Sequence, residues 1–262
     1  MSTTHRLFDQ PGPRGRRRIA ITSAFTTVVI VGLAAGGLYN LWWHYQLEPD
    51  MWLPFFEGAT LRFFGTGVYG TLLATVVAAL FSFPLALVLA LGRLSSSRII
   101  SRAVGAWVET FRALPLLLVV YAFLLALPKY GVTLPIFWLL VGPMIISSSA
   151  STAEVFRAGI RAVPRGQTEA GLSLGLTARQ TRWHIVIPQA IRMVLPNLLT
   201  SLVSLLKDST LGYVVSYYDL MFQGQLYSAQ STAYIQTFFL VAMVYVAVNM
   251  GLTHLARRWQ KI

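Results

Sequence analysis

Residues Gln167–Pro188 read QTEAGLSLGLTARQTRWHIVIP, a polar segment carrying Arg179 and Arg182 inside a chain that is otherwise largely apolar. Its internal punctuation predicts two short helices meeting at a glycine. Gly166 lets the chain turn, Thr168 suits the cap of a first helix, and Gly175 ends it where a side chain would obstruct either a positive φ or a close partner. Thr177 stands three residues before Gln180, the spacing of a capping box, and opens a second helix that Pro188 is expected to interrupt. Leu172, Leu174, Leu176, Trp183 and Ile185 are too many apolar groups for a loop in water. Two readings account for them: the segment covers helix ends of its own chain, or a groove on a soluble partner buries part of it.

The surroundings of this segment are those of a membrane protein. Of 262 residues, 55% are hydrophobic and 11% are charged, and the mean hydropathy is +0.61. A soluble domain carries roughly 25% charged residues. Apolar stretches long enough to cross about 30 Å of hydrocarbon occur near 19–41, 68–91, 109–128, 134–153, 194–215 and 235–256. The expected fold is therefore an all-α integral membrane protein of about six transmembrane helices. Segments 1–18, 92–106, 154–193 and 254–262 hold 17 of the 21 Lys and Arg residues, so the positive-inside rule predicts that both termini and Gln167–Pro188 are cytoplasmic. The net charge of +12 then reads as topology, not as an affinity for nucleic acid. The first stretch follows PGPRGRRR and ends in Tyr39, Trp42 and Trp43, which suits a retained anchor at a membrane interface. Cleavage as a signal peptide, near Ala34, Ala35 and Gly36, is the alternative.

Several chemistries lack their residues. There is no cysteine, so disulfides and thiolate chemistry are excluded. The three lysines lie in LPKY, LLKD and WQKI, outside any G-x-x-x-x-G-K-[ST] phosphate loop, and His5, His44, His184 and His254 have no paired metal-ligand spacing. Ser147, Ser148 and Ser149 have no visible base and read as small residues at a helix interface.

The opening segment resembles a family motif. The pattern E-A-A-x3-G-x9-I-x-L-P of bacterial ABC importer permeases is matched in spacing by Glu169, Ala170, Gly171, Gly175, Ile185, Ile187 and Pro188, with Gly171 replacing the second alanine and Ile187 the leucine. Further matches are similar to the polar amino-acid branch (histidine, glutamate, glutamine, arginine, opine): TGVYGTLLATVVAALFSFPLALVLALGRLS, WVETFRALPLLLVVY, AEVFRAGIRAVPRGQTEA and LLKDSTLG. Ala113, Leu114 and Thr210 depart from that branch. The basic lead and extra first helix look most like actinobacterial glutamate permeases.

The resemblance implies a five-helix type I importer permease core over 66–256, with a coupling region at 154–193, an extra transmembrane helix at 19–43, a basic cytoplasmic segment at 1–18 and a cytoplasmic tail at 257–262. It implies no enzyme and no cofactor on this chain. Two copies of an ABC ATPase would bind ATP and Mg and push on the coupling residues Gly166, Gln167, Glu169, Ala170, Gly171, Gly175, Ile185 and Pro188. A second permease subunit, a related but different chain, and an extracytoplasmic amino-acid-binding protein would complete the assembly in a bacterial cytoplasmic membrane. Glu109, Arg112, Pro115, Lys207 and Asp208 are candidates for the pathway or its gating. Glu109 and Arg112, at i and i+3, either pair within one helix or set that helix against the cavity. Lys207 and Asp208 point about 100° apart on a helix, so each needs its own partner. Glu154 and Arg157 are expected to brace the start of the cytoplasmic arm.

Overall fold

The computed structural model describes residues 12–259. Every regular element among them is helical, and they divide into one unit ending at Phe56 and another beginning at Glu57. In the first unit, α1 (Pro13–Trp43) starts on a proline that suits a first helical turn, so Arg14, Arg16, Arg17 and Arg18 lie on the helix itself. The first stretch is thus longer than 19–43. Not one α1 residue is buried, as fits a helix whose surroundings are apolar on every side. A short α2 (Pro49–Trp52) and a 3-10 turn at Leu53–Phe56 follow. Residues 1–11 and 260–262, which hold parts of the expected terminal segments, lie outside the described residues.

The second unit is built on α3 (Gly58–Arg93) and α6 (Ile136–Ala162). Their contact works because α3 places small residues on one stripe: Ala74, Ala78, Ala86 and Ala90 are fully buried, as are Leu140, Met144 and Ala153 of α6. Close helix approach through small residues is the packing available where lipid removes the hydrophobic drive.

The stretch expected as one span at 109–128 is two helices. α4 (Arg98–Ala113) and the segment Leu116–Tyr130, which begins as α5 (Leu116–Tyr121), meet at 101°. Pro115 offers no N–H and holds Leu114 extended, with ψ 129, so the helix stops there. Among the described residues five helices are long and apolar enough to cross a membrane, or six if the bent pair is one span.

After α6 come α7 (Arg165–Ser173), α8 (Ala178–Thr181), a π turn at Arg182–Val186 and α9 (Ile187–Asp208). Pro188 does not interrupt this run. It falls in the first turn of α9, directly after the π turn, where a missing N–H costs little. The span expected at 194–215 therefore belongs to a helical run of 38 residues from Ala178 to Val215, closing in a 3-10 turn.

α10 (Leu220–Ser231) follows, and α11 (Tyr234–Trp259) ends the described chain. α10 is pinned to the start of α3: Leu220 N donates to Thr71 Oγ1 at 3.0 Å, Gln223 Nε2 to Thr66 Oγ1 at 3.1 Å, and Tyr217 Oη to the Gly70 carbonyl at 3.0 Å.

Candidate functional site

The polar segment forms an elbow between α6 and α9. The N-cap position of α7 is Pro164, four residues ahead of the expected Thr168, because proline presets its own φ for the entry. The helix ends at Gly175, whose φ is +82, a conformation that costs an L side chain about 1–2 kcal/mol. Its chain neighbours aside, no atom of the described residues lies within 4 Å of the position a Cβ would take there, so backbone conformation and not crowding accounts for the glycine. The capping box forms as its spacing predicts: Gln180 N donates to Thr177 Oγ1 at 3.3 Å and Thr177 N donates to Gln180 Oε1 at 2.9 Å.

The elbow has two faces. On the inner one, Gly171 and Thr181 are buried and Ile185 is half-buried. Gln189 Nε2 donates to Gln167 Oε1 at 2.9 Å and ties α7 to α9. Below them, Val163, Val186 and Ala190 form a small core with Ile160, so the elbow is fused to the ends of α6 and α9. On the outer face, Leu172 is 48% exposed, Leu174 80% and Trp183 47%, beside the exposed Arg165, Glu169 and Arg179. The inner apolar residues thus cover the chain's own helices, and the outer ones are left open.

The expected pathway residues do not come together. Glu109 does not pair with Arg112; it accepts from Arg93 Nη2 at 3.1 Å. Arg93 was not singled out from the sequence, because its partners are 16 and 61 positions away. Its Nη1 also stands 3.4 Å from Glu154 Oε1, and Glu154 Oε2 is held by Arg157 at 2.6 and 3.0 Å. The brace expected between Glu154 and Arg157 is present, and it belongs to a four-residue network. Exposed Arg112 makes no hydrogen bond or ion pair of its own among the described residues, although its charge bears on Glu154. Pro115 forms the bend.

Lys207 and Asp208 lie at the other end of α9, 20 and 21 residues beyond Ile187, or about 30 Å along the axis. Lys207 is exposed and Asp208 half-buried, and neither forms an ion pair among the described residues. The hydroxyls of Ser209 and Thr210 close the helix end by donating to the carbonyls of Leu206 and Lys207. On the same side of the unit, by its contacts with the start of α3, Asp219 caps α10: its Oδ1 accepts from Phe222 N at 2.8 Å.

Residues 82–261 match the family model described as the binding-protein-dependent transport system inner membrane component. The chain belongs to that family. It is a permease component of an amino-acid ABC importer, with the type I importer permease fold and a multi-pass place in the inner membrane. It is 33% identical over 221 residues to the glutamate transport system permease protein GluD of Corynebacterium glutamicum, covering 82% of this chain and 81% of that one. It is 34% identical to the probable glutamine ABC transporter permease protein GlnP of Bacillus subtilis, over 76% of this chain and 92% of that one. Among solved structures, an amino acid ABC transporter with histidines superposes with a TM-score of 0.72 at 30% identity, covering 77% of this permease and 94% of that chain. The inward-facing methionine transporter MetNI, at 19% identity and a TM-score of 0.62, shares the fold.

Proposed function

We propose that this permease imports a polar amino acid, glutamate first, and that a separate ATPase drives it through the elbow. The observation that carries the reading is the two-faced elbow: an inner face fused to α6 and α9, and an outer apolar face of Leu172, Leu174 and Trp183 beside Glu169 and Arg179. A handle needs both properties, a surface to be gripped and a rigid shaft.

Two copies of the ATPase, with ATP and Mg bound there, close on ATP and press two elbows together. The physical content is a population shift: ATP favours the closed ATPase pair, and the elbow's packing passes that preference to the spans. A second, related permease subunit completes the path. An extracytoplasmic binding protein delivers the amino acid and supplies much of the selectivity. The elbow and both termini are cytoplasmic, which follows from the arginines along 92–106 and 154–193. Lys207 and Asp208, which form no ion pair among the described residues, find their partners in the second subunit or the path, since ionisable groups within a membrane are costly unless paired.

The similarity to glutamate and glutamine permeases supports this choice of substrate. The test is uptake of radiolabelled glutamate into proteoliposomes holding the whole assembly, with unlabelled glutamate, glutamine, arginine and histidine as competitors. The proposal expects uptake only with ATP and binding protein present, and strongest competition by glutamate. Uptake without ATP would mark a carrier or channel, and preferential competition by another amino acid would reassign the substrate.

A further inference from the structure

All three ion pairs found among the described residues converge on one place, where α3, α4 and α6 meet. Arg93, the last residue of α3, is its centre. Its side chain is 16% exposed and faces carboxylates from two other helices, Glu109 of α4 at 3.1 Å and Glu154 of α6 at 3.4 Å. The α4 backbone makes room for it: the Cβ position of buried Gly105 lies 3.6 Å from Arg93 Cζ, and Nη1 reaches the Gly105 carbonyl at 3.5 Å. Ser101 Oγ donates to the Arg93 carbonyl at 3.0 Å, so the end of α3 and the start of α4 are tied by main chain as well.

Glu154 stands on the helix that becomes the elbow. Between Arg157 and the start of α7, α6 is locked to α9 at Gly159, whose Cβ position is filled by Val194. The elbow, the end of α6 and the start of α9 are therefore one body. Arg157 holds Glu154 Oε2 from the same helix, which leaves Oε1 turned toward Arg93. Displacement of the elbow has a charged route through Glu154 and Arg93 to α4, and from α4 into the 101° bend at Leu114–Pro115.

We propose that Arg93 is a positioning residue for transport: by holding Glu109 and Glu154 together it makes α4 follow the elbow. This rests on the reading of the elbow as the ATPase's handle. Lysine is a poor substitute, because one ammonium replaces a planar fork that faces two carboxylates at once.

The experiment measures, in proteoliposomes with the complete assembly, amino acid imported per ATP hydrolysed for wild type, R93Q, R93K, E154Q and R93Q/E154Q. In R93Q, hydrolysis continues and the ratio falls about ten-fold, the scale of coupling changes in such networks. R93K lies between R93Q and wild type. The double variant loses no more than R93Q alone, because the two side chains act through each other. An unchanged ratio in R93Q, or losses that simply multiply in the double variant, overturns the inference while leaving the elbow's role intact. If R93Q does not assemble, R93K decides: a lowered ratio supports the inference and a wild-type ratio overturns it. Wild-type uptake without ATP would overturn the transport reading and this inference together.

Discussion

Thr181 closes directly on Gly171. A methyl group on that glycine would stand 2.6 Å from Thr181 Cγ2 and 2.9 Å from Ile185 Cδ1. Resembling permeases carry alanine at this place in their motif, so the departure at Gly171 is matched by the β-branched residue packed against it.

G171A should therefore loosen the elbow, by about 1–2 kcal/mol from overpacking against a stiff side chain. Limited trypsin digestion after Arg165, Arg179 and Arg182 reads the loosening. Faster cleavage in G171A is expected, with T181A in the same chain restoring the wild-type rate. Equal rates in all three proteins would show that the inner face tolerates the extra methyl.

Gly70 and Gly65 lie five residues apart on α3 and predict opposite outcomes. A Cβ on Gly70 would collide with the Tyr218 carbonyl oxygen, backbone that cannot rotate aside, whereas none of the neighbouring atoms approaches within 4 Å of one on Gly65. G70A should lower thermal stability by about 1–3 kcal/mol. G65A should leave it unchanged or raise it by up to about 1 kcal/mol, the difference in helix propensity. Thermal unfolding in detergent compares the two, and an equally stable G70A would contradict the docking of α10 on α3.

Asp219 gives the pH dependence. It lies outside the membrane-crossing helices and is fully buried, and burial lifts its carboxyl from 3.8 to about 7 against the opposing hydrogen bonds from the α10 backbone. The same buried carboxylate contributes to raising Tyr217, after burial of the phenol itself. With the folded value above the unfolded one, the folded protein holds a proton that the unfolded chain releases. Stability from this group is thus fully present below pH 3.8 and is lost as pH rises to about 7. D219N keeps an oxygen to accept the Phe222 N–H and removes the titration. Its melting temperature should fall less than that of wild type between pH 5 and about 8, with its relative advantage largest at the upper end. Parallel curves would show that Asp219 does not titrate in this window.

Legibility from sequence followed the range of the signal. Capping at Thr177, the positive φ at Gly175 and the Glu154–Arg157 brace depend on residues one to three positions apart, and all three could be read from spacing. The bend at Leu114–Pro115 was hidden because hydropathy runs straight across it, although Pro115 itself carried the signal. The π turn before Pro188 was hidden for a related reason: a proline predicts a helix end, and only the fold places it in the first turn of the next helix. Arg93 and the docking of α10 depend on residues brought together by the fold from 16 to 157 positions apart, which no local pattern reports. Glu109, Arg112, Lys207 and Asp208 are spread over α4 and the far end of α9, because charge alone does not say at which membrane face a helix presents it.

The central claim is that an ATPase on another polypeptide grips the elbow's outer face. Gly175 tests it most directly, because a Cβ there has open space around it among the described residues, so alanine and tryptophan share the cost of the positive φ and differ in the bulk they present. The measurement is ATP hydrolysis and amino-acid uptake side by side in proteoliposomes containing the full assembly with G175A or G175W. The account predicts that G175A retains most of its uptake, while G175W continues to hydrolyse ATP and loses transport. Uptake by G175W equal to that of G175A would contradict it.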